Sequence, residues 1–313
     1  MTLLTLFTAP KPFTDPFIAT LQRNAIESWT HLGAEVEVIL IGDEPGMAEA
    51  AQEFGIRHLP EVTCNAMGTP LVSSIFDLAR RNSDSALLVY VNADILFMPD
   101  MIEAAHRVNE QAQKFLIVGQ RWDLDVTERL DYSDRWEERL RLRIAKEGRL
   151  HPRGGSDYFI FPRDCFAAMP DFAIGRAGWD NWMFYEARRQ GWALIDATHA
   201  IQIVHQNHDY RHLPKGQPHY RLPETQENIR LAGGKRAIFN LLDADRTLLD
   251  GRIQPMPRSA EKFWREVEIF PLVKLHSHFL GQVFFAVFHP VLAFKEIKVW
   301  LVQAFKGSRK NRE

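Results

Sequence analysis

The chain has 313 residues, of which 46% are hydrophobic and 25% charged, an ordinary composition for a globular protein with one large domain or two small ones. Its formal net charge of −2 argues against a dedicated nucleic-acid binder, which would normally carry a basic face. Cys64 and Cys165 lie far apart, without the spacing of a zinc ribbon or a disulfide framework, so free thiols in a reducing compartment are predicted.

The N-terminal residues 1–10 lack a basic segment, and their apolar run is too short for a signal peptide. No stretch of about 20 apolar residues without charge or proline occurs, so a membrane span is not predicted. These features predict a cytoplasmic protein.

The first 120 residues alternate strand and helix signals, which is typical of a doubly wound α/β fold with a mostly parallel sheet. Helices are predicted at 15–31, 46–54, 69–81 and 100–112, with Pro70 in the first turn of the third. Strands are predicted at 3–8, 36–41, 56–59 and 115–119, together with a strand that begins at Leu87 and leads to Asn92 and Asp94.

The character of the chain changes after about residue 121. Residues 132–150 are rich in Arg and Glu and predict an exposed, charged helix, and a second helix is predicted at 180–190. Short strands are predicted at 159–161, 193–197 and 201–204, and a loop at 211–225.

From residue 256 the chain is dense in Phe, Val and Leu and predicts a helical extension. Residues 257–313 contain ten Lys or Arg and five Asp or Glu, a formal charge of +5. A basic amphipathic helix can lie on an anionic membrane surface, and a helix pair packed on the preceding domain is an equally good interpretation. Pro290 interrupts the helix in either case.

The most informative segment for function is the apolar run from Leu87 to Phe97, which contains Asn92, Ala93 and Asp94. A charged residue after a buried strand is commonly just the exit of the chain to solvent. Ligands of open α/β sheets, however, bind at the carboxyl ends of strands. A carboxylate there suits a hard divalent cation, which in turn suits a diphosphate.

His205 and His208 follow the strand predicted at 201–204. A single histidine is more often a structural residue, but two of them three residues apart can reach a metal ion or a phosphate. Their surroundings lack the H-E-x-x-H helix of a zinc protease.

Asp180 begins the helix predicted at 180–190, between Trp179 and Trp182. Aspartate is a favoured N-cap, worth roughly 0.5–2 kcal/mol over alanine, so capping alone explains it. The functional interpretation is a carboxylate that accepts a proton from a hydroxyl group, beside indole rings that stack on a sugar.

Gly154 and Gly155 precede Ser156 and Asp157 and permit close approach of the backbone to a ligand, although a plain turn explains them as well. The pattern is neither G-x-G-x-x-G nor a Walker loop, so it does not predict a dinucleotide or ATP site. Thr8 and Asp43 follow adjacent predicted strands, where a nucleotide base and ribose would sit, although Asp43 also suits a turn.

Taken in order, these motifs over residues 1–210 resemble those of the GT-A-type glycosyltransferases, the superfamily of nucleotide-diphospho-sugar transferases. That family has a nucleotide-binding α/β half that ends in a D-x-D metal motif, followed by a glycine-containing loop, an acidic motif at a helix start and a metal-binding histidine. The counterparts in this chain are residues 92–94, 154–157 and 179–181, and His205 or His208.

The resemblance implies a GT-A-like catalytic domain over 1–255, with a nucleotide-binding half at 1–120, an acceptor-binding half at 121–255 and an extension at 256–313. It implies transfer of a sugar from a nucleotide-diphosphate sugar to a hydroxyl of a polysaccharide, glycolipid or similar acceptor, assisted by Mn²⁺ or Mg²⁺. A glycolipid acceptor would suit a peripheral protein at the inner face of a membrane, attached through 258–313.

The same resemblance implies a role for each candidate residue. The nucleotide and its cofactor are assigned to Thr8, Asp43, Asn92 and Asp94. Asp94, His205 and His208 are assigned to the metal. Asp180 and Asp157 are assigned to catalysis, with Trp179, Trp182 and Asp157 at the acceptor. Residues 132–150 are expected to close over the site, and Lys235 and Arg236 either reach the diphosphate or lie in a solvated loop.

Two departures from the family pattern leave alternatives open. Asn92 occupies the first D-x-D position, and Asn181 follows Asp180 where a second carboxylate would stand. A catalytically inactive relative that serves as a binding or scaffold protein is therefore one alternative. A sugar nucleotidyltransferase is another, and it is disfavoured because the loop at 8–12 contains no glycine.

Overall fold

The computed structural model describes residues 2–208 and 222–298. The chain divides into two compact units, residues 1–257 and residues 258–313. The sequence analysis places this boundary between residues 255 and 256. Most of the loop predicted at 211–225, and the basic residues at 306–312, lie outside the described residues.

The first unit consists of strands and helices that alternate over most of its length. The helices are α1 (Pro16–Thr30), α2 (Met47–Phe54), α3 (Val72–Arg81), α4 (Asp100–Gln111), α5 (Trp136–Glu147), α6 (Trp179–Arg189) and α7 (Pro223–Leu231). The strands are β1 (Leu4–Thr8), β2 (Val36–Ile41), β3 (Arg57–Leu59), β4 (Leu87–Val91), β5 (Ile95–Leu96), β6 (Phe115–Val118), β7 (Trp122–Leu124), β8 (Arg149–Leu150), β9 (Tyr158–Pro162), β10 (Ala193–Asp196), β11 (Val204–Gln206), β12 (Arg246–Leu249) and β13 (Arg252–Pro255).

Nine strands form one large sheet in the order β13-β12-β10-β6-β9-β4-β1-β2-β3. Strands β3, β2, β1 and β4 are parallel to one another, as are β6, β10 and β12. All residues of β1, β4 and β9 are buried, as expected for strands covered on both faces. The predicted α/β class, with a mostly parallel sheet flanked by helices, is confirmed.

The order of the strands creates a switch point at β1. The chain runs outward from β1 to β2 and β3 and then returns through α3 to β4, on the other side of β1. Such switch points leave a crevice at the carboxyl ends of the strands, and ligands of open α/β sheets bind there.

The prediction did not anticipate where the strand after Gly155 pairs. β9 lies antiparallel between β4 and β6, so the two parallel groups are not adjacent. β12 and β13 form an antiparallel hairpin at one edge and were also not predicted. The strand predicted at 201–204 is shifted to Val204–Gln206, since its pairing is set by β5 and β7.

A second, four-stranded sheet has the order β5-β11-β7-β8. β11 is antiparallel to β5, with His205 opposite Ile95, and parallel to β7, with His205 opposite Asp123. Because β5 begins directly after Asp94, this register brings residues that are more than 100 positions apart in the sequence beside one another.

Helix α1 illustrates how local sequence determines an element. Asp15 is its N-cap, and Oδ1 accepts hydrogen bonds from the backbone N–H of Phe17 and Ile18 at 2.8 and 3.1 Å. Pro16 occupies the first helical position, where its missing N–H costs nothing.

Helix α3 begins later than predicted. Pro70 lies outside it, because residues 70 and 71 form short bridges to Cys64 and Ala173 instead of helical hydrogen bonds.

Helix α5 corrects the expectation that 132–150 closes over a site. Trp136, Leu140 and Ile144 recur at four-residue spacing and are buried, while Arg141 pairs with Asp100 at 2.9 Å. The charged side chains therefore cover the solvent-facing side of a helix whose apolar stripe is fixed in the core.

The second unit is helical. Its elements are α8 (Ala260–Val273), α9 (His278–Phe288) and α10 (Pro290–Lys298). Ser259 and Ser277 cap α8 and α9 through their hydroxyl groups. No single helix in the described part of the chain meets the length and hydropathy of a membrane span, whereas α9 and α10 together do so by length and composition, with a bend of 116° between them.

Candidate active site

A cavity of about 520 Å³ lies at the carboxyl ends of β1, β2 and β4, at the switch point of the large sheet. Residues 9–12 follow β1, Gly42 and Glu44 follow β2, and residues 92–94 follow β4. The opposite wall is formed by 174–177 and the first residues of α6.

Asp94, His205 and His208 form a cluster within this cavity. Their potential ligand atoms all lie within 4.8 Å of one another. Nε2 of His208 is 2.9 Å from Oδ2 of Asp94, and Nε2 of His205 is 3.8 Å from the same oxygen. Oδ1 of Asp94 is buried and has no hydrogen-bond partner among the described residues.

The charges around Asp94 keep it ionised. Burial by itself would raise its pKa, but the hydrogen bond from His208 and the nearby His205 outweigh that effect. Lys11 also lines the cavity and contributes in the same direction, so the pKa of Asp94 lies well below its usual range.

Lys11 lines the cavity where the chain leaves β1 and provides a positive charge there. Burial lowers the pKa of its ammonium group, and the charge of Asp94 opposes this in part. Its backbone is fixed by the buried Gln22, which accepts a hydrogen bond from Lys11 N–H at 2.7 Å and donates one to its carbonyl at 2.9 Å.

Asp157 is held in an ion pair. Its two oxygens accept hydrogen bonds from Nη1 of Arg121 at 2.8 and 2.7 Å, and Oδ1 also accepts one from Nδ2 of Asn92 at 2.9 Å. Asn92 in turn accepts a hydrogen bond from Tyr90 at 3.2 Å. The predicted catalytic and acceptor-binding roles of Asp157 stay predictions, and the contacts describe a carboxylate that positions Asn92 and Arg121.

Asp180 lines the cavity and, like Glu44, has no ion pair among the described contacts. It is the second residue of α6, whose N-cap is Gly178 rather than Asp180, with a positive φ of 111°. Oδ1 accepts a hydrogen bond from Gly178 N–H at 3.2 Å. Burial raises the pKa of Asp180, and the nearby Asp157 carboxylate adds to the effect.

The side chain of Asn181, the residue after Asp180, is not among the described lining residues. Its amide donates to the carbonyl oxygens of Phe239 at 2.6 Å and Gly154 at 3.3 Å, so it joins two loops. Gly155 lies on the other side of Asp180, where a Cβ would come within 3.3 Å of Oδ2. Gly155 therefore lets the backbone approach this carboxylate closely, whereas a Cβ at Gly154 would meet open space.

The two tryptophans of the acidic motif have different surroundings. Trp179 lines the cavity and packs against Tyr90 and Phe76, at ring-centroid distances of 5.0 and 6.2 Å. Trp182 packs on Phe172 at 5.3 Å and is not among the described lining residues. The assignment of Trp182 to acceptor binding stays a prediction, and among the described contacts its ring lies against Phe172 rather than at the cavity.

Two residues assigned to the nucleoside lie next to the described cavity lining rather than in it. Thr8 is fully buried at the end of β1, and the described lining begins with Ala9. Asp43 is exposed outside the lining, whereas Glu44 lies within it. Lys235 and Arg236, in a short 3₁₀ turn, are also not among the described lining residues.

Arg121, Asp123 and His151 belong to the site region and were not predicted. Asp123 accepts a hydrogen bond from Nε of Arg121 at 2.9 Å, lies 2.7 Å from Nδ1 of His151, and faces Nδ1 of His205 at 3.5 Å. Acidic and imidazole side chains thus alternate across the small sheet, in the order Asp94, His205, Asp123 and His151. Alternation of this kind depends on strand register, which the local sequence around each residue does not reveal.

Several solved glycosyltransferase structures are similar to this chain. Glucosyl-3-phosphoglycerate synthase from Mycobacterium tuberculosis matches with 15% identity and a TM-score of 0.47, over 74% of this chain and 81% of that one. The same synthase with Mn²⁺, UDP and glucosyl-3-phosphoglycerate matches with 14% identity and a TM-score of 0.44, over 83% and 88%. A mannosyltransferase from Pyrobaculum calidifontis with GDP-Man and Mn²⁺ matches with 14% identity and a TM-score of 0.38, over 67% and 58%.

No family model and no curated protein matches the chain. At these identities and TM-scores, the chemistry has to be argued from the residues of the cavity.

Proposed function

We propose that the protein is a metal-assisted glycosyltransferase that uses a nucleotide-diphosphate sugar as donor and a hydroxyl group as acceptor. The observation that carries the proposal is the cluster of Asp94, His205 and His208 in the same cavity as Asp180, at the switch point of the sheet. A cavity of about 520 Å³ is within the usual range for sites that enclose a small-molecule ligand.

The cluster fits a divalent cation. Oδ1 of Asp94 is buried without a hydrogen-bond partner among the described residues, and two imidazoles lie beside this carboxylate. Together these groups provide the ligand atoms of a metal site. Burial lowers the pKa of His205, which favours the neutral, metal-binding form. Two nitrogen ligands favour a transition metal such as Mn²⁺ over Mg²⁺, which prefers oxygen. When bound, the ion would supply Lewis-acid stabilisation of the charge on the diphosphate leaving group.

The chain's own residues account for the remaining requirements of the reaction. Residues 9–12 and Glu44 lie where the nucleoside would bind, and Lys11 brings a positive charge to the diphosphate side. Asp180 takes the proton of the acceptor hydroxyl while the hydroxyl oxygen forms a bond to the anomeric carbon of the donor sugar. The bond from that carbon to the phosphate oxygen breaks, and its electron pair leaves with the nucleoside diphosphate. A raised pKa makes Asp180 a better base than an ordinary carboxylate.

Thermal-shift measurements with UDP, GDP, CDP and dTDP, each with Mn²⁺ and with EDTA, test the site. A nucleotide at 100 times its Kd is expected to stabilise the fold by about 2.7 kcal/mol in Mn²⁺ and much less in EDTA. Asp94→Ala should abolish the metal-dependent part. Asp43→Ala is the matched control, since Asp43 follows β2 of the same sheet but lies outside the cavity lining.

Turnover separates an enzyme from an inactive relative. Release of nucleoside diphosphate from the corresponding nucleotide sugar, measured with and without a panel of hydroxyl acceptors, is expected from the wild type. Metal-dependent nucleotide binding without any release would instead support a binding or scaffold protein. Absence of both would contradict the assignment of the site.

A further inference from the structure

The second unit exposes an unusual amount of apolar surface. Within 258–298, twelve large apolar side chains are at least 36% exposed, against four in the described residues of the first unit. The twelve are Phe263, Trp264, Phe270, Leu275, Phe279, Leu280, Val283, Val287, Val291, Leu292, Phe294 and Ile297. Large apolar side chains exposed in this number within one short segment mark an interaction site rather than ordinary surface.

This exposure follows from the small core of the unit. Gly281 lets α9 approach α8 closely, because a Cβ at this position would lie 2.6 Å from Cδ2 of Leu272. The contact buries Leu272, Ile269 and Phe285, which is only one face of each helix. The other faces of α9 and α10 remain apolar and uncovered, with Phe279 77% and Phe294 69% exposed.

The charge of the unit is positive. Glu266 pairs with Lys262 at 2.6 Å, and Glu268 pairs with Arg265 at 3.2 Å and His289 at 3.1 Å, so two of its acids are balanced within the unit. Residues 258–313 have a formal charge of +5, with ten Lys or Arg and five Asp or Glu, which leaves −7 on residues 1–257. The described residues 258–298 contain six Lys or Arg and four Asp or Glu, a formal charge of +2, which favours an anionic partner over a cationic one.

The described helices of this unit do not form one straight membrane span. α9 has 11 residues, roughly 17 Å at 1.5 Å per residue, whereas the hydrocarbon layer of a bilayer is about 30 Å thick. α9 and α10, described as far as Lys298, together have the length and composition of a span but are bent by 116°. Short apolar helices bent in this way, with lysines at 274, 295 and 298 beside them, suit the plane of the interface.

We propose that residues 258–298 form an interfacial attachment site for a bilayer that contains anionic phospholipid. The apolar side chains of α9 and α10 enter the boundary between headgroups and acyl chains, while Lys274, Lys295 and Lys298 meet the anionic headgroups. The proposal goes beyond the transferase assignment and stands on a different part of the chain.

Vesicle flotation with the full-length protein tests this attachment. We expect binding to phosphatidylcholine vesicles with 30% phosphatidylglycerol, and at least tenfold weaker binding to phosphatidylcholine alone. Phe279→Ser with Phe294→Ser should abolish binding. Lys274→Glu with Lys295→Glu and Lys298→Glu should weaken it by about 100-fold, because each lysine near an anionic surface contributes roughly fivefold.

Matched changes in the first unit are the controls. Met67→Ser with Leu142→Ser removes side chains that are 66% and 71% exposed, and Lys146→Glu with Arg81→Glu reverses exposed charges. Both controls should bind vesicles as the wild type does. Equal loss in the controls, or no vesicle binding by a monodisperse wild-type protein, would overturn the proposal. A different result is a wild-type dimer that does not bind vesicles. If Phe279→Ser with Phe294→Ser dissociated that dimer, the surface would be assigned to contact with a second copy of the chain.

Trp264 provides a readout that does not depend on affinity. It is 56% exposed and packs beside Phe263, at a ring-centroid distance of 5.1 Å. On anionic vesicles with brominated acyl chains, we expect quenching of tryptophan fluorescence that is smaller in Trp264→Phe. Binding without such quenching would mean a purely electrostatic contact and would contradict apolar insertion. Retained Mn²⁺-dependent nucleotide binding in every variant separates this outcome from failure of the transferase assignment.

Discussion

Asp94 and Asp180 are two carboxylates of one cavity with opposite electrostatic surroundings. Imidazole and ammonium groups lower the pKa of Asp94, whereas burial and the neighbouring Asp157 raise that of Asp180. A divergence of this kind commonly separates the roles of paired carboxylates in enzymes. Here it supports the proposed division of roles, with Asp94 at the metal ion and Asp180 as the base.

The variant Asp180→Asn should lose activity and gain stability. Loss of the base is expected to lower kcat by about 10²–10⁴-fold, while metal-dependent nucleotide binding persists. Because the folded-state pKa is raised, ionisation of Asp180 disfavours the folded state above the unfolded-state pKa of about 3.9. The variant should therefore have a higher Tm than the wild type at pH 7, and this advantage should disappear at about pH 3.

Turnover assays and thermal melts at both pH values check the prediction. Asp171→Asn is the control, since this aspartate is exposed and accepts a hydrogen bond from Ser73 away from the cavity. The prediction would be contradicted by two results together. The first is a wild-type pH–activity profile whose acid side reports the pKa of an ordinary carboxylate. The second is an Asp180→Asn variant with the Tm of the wild type.

Asp123 is expected to position His205. Its Oδ1 lies 3.5 Å from Nδ1 of His205, which makes no hydrogen bond among the described residues, so the carboxylate acts on the ring through its charge. This charge favours a proton on Nδ1, while Nε2 lies 3.8 Å from Oδ2 of Asp94. Asp123→Asn should weaken Mn²⁺ binding by roughly 10–100-fold, as loss of outer-shell partners does elsewhere. Mn²⁺ titration calorimetry measures this effect, and nucleotide affinity at saturating Mn²⁺ should be unchanged.

Asp125→Asn is a matched control, since Asp125 is exposed and contacts Asn207 instead of a ligand of the cluster. Equal effects of the two variants on Mn²⁺ affinity would indicate a general electrostatic effect rather than positioning of His205.

At the scale of residues, the sequence predicts which strand ends line the cavity. It predicts less well which side chain at each strand end faces the cavity. Asp94 and Asp180 could be singled out because each follows a clear local pattern. Glu44 could not be distinguished from Asp43, because one residue of turn geometry decides which side chain faces the cavity. Asp123 had no local signal at all, since its contact with His205 arises from pairing between distant strands.

At the scale of elements, the buried Gln206 joins three parts of the site. Its side-chain amide donates to the carbonyl oxygens of Leu21 at 2.8 Å and Asp94 at 3.2 Å, and Oε1 accepts a hydrogen bond from Asn24 at 3.0 Å. Helix α1, strand β11 and the turn after β4 are thereby fixed relative to one another.

Replacing Gln206 by leucine should destabilise the fold by about 1–3 kcal/mol, because buried polar groups lose their partners. Urea denaturation measures the change in the free energy of unfolding. Asn207→Ala, at the neighbouring position, should stay within about 0.5 kcal/mol because Asn207 makes its contact at the surface. A Gln206→Leu variant as stable as the wild type would show that these hydrogen bonds contribute no net stability.

The elements themselves were largely predictable where their signals are local. α1 was predicted at 15–31, and β1, β2 and β4 were predicted as short strands between turn residues. The antiparallel insertion of β9 and the β12–β13 hairpin were missed, because pairing partners are selected by the assembled sheet. Strand β5, only two residues long, has no pattern of its own.

The whole molecule combines two units with different surfaces. The described residues that line the cavity all lie between residues 9 and 208. The formal charges of the units are −7 and +5, and most of the large exposed apolar side chains belong to the smaller one. The two proposed functions can therefore be separated at Pro257.

A chain that ends at Pro257 should keep the metal-dependent stabilisation by nucleotide and lose vesicle binding. The stabilisation at 100 times Kd should remain about 2.7 kcal/mol, because the described lining lies entirely upstream of the cut. Paired thermal-shift and flotation measurements on the shortened and full-length proteins check both expectations. Retained vesicle binding would locate the lipid contact in the first unit, whereas a folded chain without nucleotide binding would mean that the second unit contributes to the donor site.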